Sequence, residues 1–365
     1  MADTMKLSHI NAPLAQTWNY LRVNDVEFEV PVPEDHGAAF NRLPRIFDSI
    51  DCGLGDEARD WIVACVPEAR YIDVPAYTKR EEPIVVVATA GEGAYSDTGV
   101  CIREGAEATV VVAASADPAG DALTAALTRI IVERGAKAHI VEVIAHGGAN
   151  RHLEGLGITA GKNARVDVRQ YFLGGARVAA GMACELAGDD SAFELSCRYL
   201  VGNGELLDIN HLVRARGRNT REDMAVSGML GEGASKTLRE TIDLVHGAKG
   251  SQGNEAETVL IAGENTRNKT LPTILCDEED VAGNHGATIG AISPDQLAYM
   301  QNRGLTEDEA VALFMRSIFD DALIHAPEAI SSAAVTLRAE AVLGSEVSRD
   351  SLEALDVDLF ADAEV

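Results

Sequence analysis

The feature that most constrains the fold is a short phrase that returns along the middle of the chain, a glycine turn followed by a strand-like run. It begins at Gly105, Gly135, Gly161 and Gly188, so the first intervals are 30, 26 and 27 residues. Side chains alternate after the glycine, as in "GAEATVVV", which suits a strand with one face inward. "GEGASKTL" and "GNEAETVL" repeat the phrase further along. A loose repeat of this length is typical of stacked solenoid coils.

Other arrangements of short strands also fit part of this pattern. Few helical patterns separate the repeats, which argues against a doubly wound sheet with a helix after each strand. The exception is 121–134, which could be a crossover helix, or a shorter helix followed by the strand-like "RIIVERG". A β-sandwich remains the main alternative. We expect a mainly β fold with a right-handed parallel β-helix core, partly from the repeat period and partly from the resemblance described below.

Changes in composition divide the chain into four stretches. Residues 1–80 are mixed, and "GDEARDWIVACV" within them has the apolar spacing of a short helix. Residues 81–290 carry the β repeats, and residues 291–345 carry helical patterns. Residues 346–365 form an acidic tail. We therefore predict a β-helix core with a small N-terminal region and a helical C-terminal region.

Capping boxes mark the helical region. Ser293 pairs with Gln296 at the first helix start, and Thr306 pairs with Glu309 at the second. A third helix is expected to end before Gly344. The second helix has an apolar stripe consisting of Ala310, Leu313, Phe314, Ile318 and Leu323. Such a stripe either docks another protein or packs on the chain's own β core, and the pattern leaves both open.

Charge and missing motifs exclude several classes of function. With 31 Lys+Arg against 58 Asp+Glu, the net charge of −27 disfavours nucleic acid and anionic membranes as partners. The start lacks a secretion signal and the longest apolar run is too short to span a bilayer, so we expect a soluble, cytoplasmic protein. No P-loop, nucleophile elbow or zinc-protease motif occurs. Six isolated cysteines make disulfides and a self-contained zinc site improbable.

Three clusters of polar residues are better explained without a ligand. His146 and His152 could bind a metal, although histidines in such turns are more often hydrogen-bonded or solvated. The arginines of "RARGRNTR" are expected to pair with neighbouring surface acids. The acids 277–280 lack the spaced oxygens of a cation cage and are expected to form a solvated turn.

A longer passage around His285 carries a family resemblance. The passage "NKTLPTILCDEEDVAGNHGATIGAISPDQLAYMQNRGLTEDEA" resembles the C-terminal signature of the SufB/SufD family, the scaffold proteins of the SUF iron–sulfur cluster assembly system. "GRNTREDMAVSGML" and "SKTLRETIDLVHGAKGSQGNEAETVLI" fit the same pattern, and the resemblance is specific from roughly residue 205 to 325. It implies a right-handed β-helix whose last strands pair with a second subunit, and a helical region that binds a SufC-type ABC ATPase.

The resemblance also implies site residues. His285 matches a histidine at the subunit interface that is implicated in forming the nascent, transient iron–sulfur cluster. SufB's glutamate after this histidine is replaced here by Gly286, and SufB's assembly cysteine falls on Ala256. The cysteine that some SufD members carry two residues before the histidine is Gly283. Cys276 is a candidate substitute thiol, and participation of a reduced flavin is left open.

These departures favour a SufD-like, non-catalytic scaffold that works with a SufB-type subunit and a partner ATPase. The residues expected to meet the ATPase are Thr306, Glu309, Leu313, Phe314 and Ile318. A minimal SufB-like scaffold that pairs with a second copy of itself is the alternative. A β-helix enzyme acting on carbohydrate ranks lower, and a purely structural partner in which His285 only packs is a third hypothesis.

Overall fold

A computed structural model describes residues 3–17, 19–36, 41–91, 94–117 and 119–345. The expected acidic tail, 346–365, lies outside the described residues. No helix in the described ranges is long and apolar enough to cross a membrane.

The body of the molecule is a parallel β-solenoid made of two eight-stranded sheets. Each coil contributes one strand to each sheet. The first sheet, called the odd sheet, contains β3 (Arg70–Val74), β5 (Tyr95–Ile102), β7 (Leu123–Val132), β9 (Arg151–Ala160), β11 (Arg177–Leu186), β13 (Leu206–Ala215), β15 (Ser235–Leu244) and β17 (Arg267–Cys276). The second, the even sheet, contains β4 (Ile84–Thr89), β6 (Glu107–Ser115), β8 (Lys137–Ala145), β10 (Arg165–Phe172), β12 (Ala192–Val201), β14 (Arg221–Leu230), β16 (Gln252–Ile261) and β18 (Ala282–Gly290).

The repeated turn sets the length of a coil. Asn163, Asp190 and Asn219 occupy equivalent turns with φ of 57°, 60° and 56°. This left-handed conformation is strained for most residues but tolerated by asparagine, aspartate and glycine. Strands that follow such turns stack in register, so Val166 lies beside Phe193. The repeat in the sequence therefore reports one turn per coil, and the predicted β-helix is confirmed as a parallel solenoid.

The interior of the solenoid is filled by alternate side chains from both sheets. Leu238, Ile242 and Leu244 of β15 are almost fully buried and pack with Val259 of β16. Burial of each such aliphatic side chain contributes about 1.5–3 kcal/mol. The inward positions of a strand therefore share one parity, and a polar residue at that parity lies inside the solenoid.

The helix considered for 121–134 is wrong in both of its forms, because β7 occupies this segment, but the strand-like start of "RIIVERG" does lie in β7. Both faces of β7 are buried. Ile130 faces the solenoid interior, while Leu123 and Leu127 pack against the N-terminal region. A strand buried on both faces loses the alternation that identifies it.

The N-terminal region covers the outer face of the odd sheet. It consists of the antiparallel hairpin of β1 (Thr4–Ile10) and β2 (Val26–Pro31), and of α1 (Asp56–Cys65). The helix expected in "GDEARDWIVACV" is present and buries Trp61. The first coil begins with β3, before residue 81, where the sequence analysis placed the start of the β-helix. The sequence did not indicate β3, because this five-residue strand is mostly exposed and its apolar and polar residues do not alternate clearly.

Three helices follow the solenoid: α2 (Pro294–Gln301), α3 (Glu307–His325) and α4 (Ala329–Leu343). Both expected capping boxes are formed. Helices α3 and α4 pack on the outer face of the even sheet, where Phe319 and Val335 join Tyr171 and Met229 in one apolar cluster. The apolar stripe of α3 therefore serves, in part, the chain's own fold.

Candidate functional site at the open end of the solenoid

The last coil leaves both sheets with an open edge. Strand β17 pairs only with β15, and β18 pairs only with β16, within the part of the chain that the structure describes. An open edge presents unpaired backbone N–H and C=O groups, which form a template for another strand. At this end of the solenoid, a strand from another chain can therefore pair with either sheet.

Strand β18 is unusually bare. All nine of its residues, "AGNHGATIG", are exposed, and Ile289 is 50% exposed. Its small side chains leave the backbone accessible, and a Cβ added at Gly286 or Gly290 would meet no atom within 4 Å. A flat edge of this kind lacks the charges and bulges that usually prevent pairing.

His285 lies near the middle of β18 on the inward side. It pairs in register with Glu255 of β16, so the two side chains share a face. The imidazole is exposed and makes no hydrogen bond or ion pair in the described part of the chain. It is therefore free to take a ligand.

Cys276 is the last residue of β17, on the opposite sheet of the same coil. Its thiol is exposed and lies 3.2 Å from the backbone oxygen of Glu278, to which it donates. The structure therefore places Cys276 at the same end of the solenoid as His285 but on the other sheet.

Glu255 is the buried neighbour of His285. Its side chain is 4% exposed, and neither carboxylate oxygen has a hydrogen-bond partner among the described residues. Burial, and then the charge of Glu240, raise the pKa of Glu255 to about 9. Glu255 is therefore protonated and uncharged at neutral pH.

Glu257, two residues along the same strand, is fully satisfied. It accepts from Lys236 and, at 2.5 Å, from the hydroxyl of Thr270. The hydroxyl of Tyr199 lies 3.3 Å from the same carboxylate. Burial lowers the pKa of Lys236, and the charge of Glu257 opposes that effect. The interior lysine is thus committed to Glu257 and leaves Glu255 without a cation.

Further acids line the interior behind the last coil. His211 of β13 and Glu240 of β15 are neighbours in register, with Nδ1 and Oε1 3.9 Å apart. Both oxygens of Glu222 on β14 are also unpartnered. Desolvation raises the pKa of both glutamates. In the described ranges, no three His, Cys, Asp or Glu side chains are arranged to hold a metal ion.

The sequence did not identify these interior acids as a group. Glu222, Glu255 and Glu257 occupy positions of the same parity as the apolar core residues of their strands. That parity is the signal, but it can be used only once strand boundaries and register are known.

The two histidines considered as metal ligands lie deep inside the solenoid. The hydroxyl of Thr124 lies 3.0 Å from His146 Nε2 and 2.8 Å from His152 Nδ1. Glu154 lies 2.9 Å from the other ring nitrogen of His152. Burial lowers the pKa of His152 to about 3. These histidines are hydrogen-bonded, as the simpler interpretation expected.

The arginines follow the simpler interpretation, whereas the acidic turn is solvated only in part, because Glu278 in it is buried. Arg214 pairs with Asp243 at 2.7 Å, and Arg216 pairs with Glu185 at 2.8 Å, each across neighbouring strands. In the acidic turn, Glu278 accepts from the backbone N–H of Gly247 at 3.0 Å, which lowers its pKa.

The residues expected to meet a partner on α3 differ in their accessibility. Thr306 and Glu309 form the helix cap, and Leu313 is 49% exposed. Phe314 is half-buried and lines a groove of about 540 Å³ between α3 and the outer face of the even sheet. Ile318 is buried on that sheet, so it contributes by holding α3 in place.

Comparisons with known proteins identify relatives of the chain. A family model described as "SUF system FeS cluster assembly, SufBD core domain" matches residues 85–318. An iron-sulfur cluster assembly SufBD family protein of Synechocystis sp. is 24% identical over 201 residues, which are 54% of this chain and 42% of that protein. The iron-sulfur cluster assembly protein SufD of Bacillus subtilis is 27% identical over 145 residues, 36% of this chain and 33% of the relative. The chain spans less than half the length of these curated relatives.

Proposed function

Because the chain belongs to the SufBD family of the SUF iron–sulfur cluster assembly system, we propose that it is a SufD-like scaffold subunit. In this proposal it pairs through its last coil with a SufB-type subunit. A SufC-type ATPase binds its helical region and supplies the ATP hydrolysis, so the chain has no catalytic role of its own. The observation that carries the proposal is the exposed edge strand β18 with an unpartnered histidine at its centre.

Pairing at β18 follows from the physics of the edge. A partner strand would satisfy the unpaired backbone groups and would cover Ile289, one of the few large apolar side chains at this end. The small residues around His285 let a second backbone approach closely. Such an interface brings His285 to the boundary between two subunits.

The chemistry of His285 suits a transient cluster. Imidazole is an established ligand of iron in iron–sulfur proteins, and it holds clusters less tightly than a thiolate set. The cluster is the cargo of the assembly. A ligand on an exposed edge strand can be covered or released when the interface moves, and an ATP cycle in a partner can bias such a two-state interface.

The helical region offers a surface for the ATPase. Its large exposed apolar side chains are Tyr299, Leu313, Ile324, Ile330 and Leu337. They are distributed over α2, α3 and α4, and exposed apolar side chains of neighbouring helices can together form an interaction site. Among the residues expected from the sequence, Leu313 and Phe314 remain available for contact, and Thr306 and Glu309 fix the start of the helix that carries them.

The test is co-expression of the chain with a SufC-type ATPase, with and without a SufB-type chain, followed by anaerobic measurement of assembly size, iron and sulfide. The proposal expects assembly only with the SufB-type chain, and loss of iron and sulfide in His285→Ala. Asn284→Ala is the matched control, because Asn284 is the adjacent residue on the outward face and bonds Asn254. Self-pairing with retained iron and sulfide would instead identify a homodimeric scaffold.

A further inference from the structure

The register of the last two even-sheet strands places two potential ligands side by side. Glu255 and His285 are direct neighbours on the parallel strands β16 and β18. Strands of a sheet are about 4.8 Å apart, and residues in register project to the same face. A carboxylate and an imidazole so placed can both reach one small ion.

The environment of Glu255 calls for such an ion. Its carboxyl group is buried and has no donor in the described part of the chain, whereas Glu257 beside it takes Lys236, Thr270 and Tyr199. An unpaired buried carboxylate is costly to the fold, so the group stays neutral unless a bound cation replaces its proton. Lys236 is already bonded to Glu257, so a cation that replaces the proton of Glu255 would come from solution.

The donor set indicates which cation fits. Imidazole nitrogen together with carboxylate oxygen is a combination found at ferrous iron centres, while thiolates favour assembled clusters. The neighbouring positions supply no thiol, because Ala256 and Gly286 follow the two donors. We propose that Glu255 and His285 together bind ferrous iron as it enters the site, before sulfide is added.

This inference rests on the proposed function but concerns an earlier event and another residue. Two protein ligands do not complete an iron coordination shell. Water, sulfide or a partner subunit supplies the remainder, in keeping with the absence of any three-residue metal group in the described ranges. No electron transfer is involved, since the iron is bound and held in its ferrous state.

The experiment is an anaerobic equilibrium titration of the full chain, without partners, with Fe(II). Wild type is compared with Glu255→Gln, His285→Ala and the matched control Glu222→Gln. Glu222 is also a buried, unpartnered interior glutamate, but it lies on β14, two strands from His285. Thermal unfolding of each variant verifies the fold.

We expect one Fe(II) per chain, with affinity reduced at least about tenfold in Glu255→Gln and in His285→Ala and unchanged in Glu222→Gln. A wild-type affinity in Glu255→Gln, or an equal loss in Glu222→Gln, overturns the inference. If Glu255→Gln does not fold, Glu255→Asp is used, since it keeps the carboxyl group and withdraws it by one methylene. It is expected to weaken Fe(II) binding, and a wild-type affinity contradicts the inference.

The outcome can be separated from that of the proposed function. Fe(II) binding through both residues in a chain that never supports cluster assembly would preserve the iron site and reject the scaffold role. Cluster assembly that is lost in His285→Ala but unchanged in Glu255→Gln would preserve the scaffold role and reject the iron site.

Discussion

Arg338 of α4 and Glu205, at the turn that precedes β13, form a buried ion pair with Nη2 and Oε1 2.7 Å apart. The two side chains are 10% and 11% exposed. The Arg338 Nε also donates to the backbone oxygen of Leu173, at 2.7 Å. One arginine therefore joins the helical region to two turns of the solenoid.

Arg338→Ala should destabilise the chain strongly. Removing one partner of a buried pair leaves the other charge unpaired, which costs about 3–5 kcal/mol. Urea unfolding measures this loss. Arg316→Ala is the control, because Arg316 pairs with Asp320 on the half-exposed face of α3 and should contribute less than about 1 kcal/mol. Equal effects of the two substitutions would show that Arg338 does not fasten α4.

Glu142→Gln should stabilise the chain in a pH-dependent manner. Glu142 is fully buried, and desolvation and then the charge of Glu154 raise its pKa well above 4.5. The unfolded chain releases this proton above pH 4.5 while the folded chain retains it. The contribution of Glu142 to stability is therefore fully present below pH 4.5 and is lost as pH rises towards the folded-state pKa.

Because glutamine cannot ionise, the advantage of the variant should grow by up to about 1.4 kcal/mol per pH unit within that window. Urea unfolding at pH 5 and pH 8 measures it. Glu194→Gln, on the exposed face of β12, is the control and should show no such trend. An equal difference between variant and wild type at the two pH values would mean that Glu142 is ionised in the folded chain.

Leu313→Asp should prevent binding of a SufC-type ATPase without affecting the fold. Leu313 is half exposed on α3, and a charge there would have to be desolvated in an apolar interface. Ile46→Asp is the control, as Ile46 is equally exposed in the N-terminal region. Co-purification with the ATPase is the measurement. Normal binding by Leu313→Asp would move the docking surface away from this part of α3.

Cys276→Ser should retain the iron and sulfide content of the assembled complex. The thiol lies on the sheet opposite His285 and donates to a backbone oxygen, an interaction that a serine hydroxyl can reproduce. Anaerobic iron and sulfide determination is the assay. A marked loss of either would make Cys276 a cluster ligand and would revive the substitute-thiol hypothesis.

The sequence predicted the parts of the fold that depend on local interactions, namely the turns and the helix starts. Turns such as that at Asn163 need a left-handed backbone in every coil, so they mark the period of the solenoid. Capping boxes report helix starts through local hydrogen bonds, and those at Ser293 and Thr306 are present. Strand β7 was anticipated only in its second half, as the strand-like "RIIVERG", because tertiary packing buries both of its faces.

The site was only partly accessible from the sequence. His285 was identified through a family motif, and its position on an exposed edge fits that identification. Glu255 was not identified, because its significance depends on parallel register with a strand about thirty residues away. A buried charge cannot be recognised until the inward face of its strand is known.

Hydrogen exchange of the β18 backbone amides tests the central claim most directly. The measurement compares the free chain with its complex with a SufB-type subunit. If the last coil is the pairing surface, the exchange of amides in 282–290 should slow markedly in the complex, while that of β4, at the opposite edge of the same sheet, should be unchanged. Unchanged exchange in β18 in a complex that has formed would contradict the account, because the partner would then bind elsewhere.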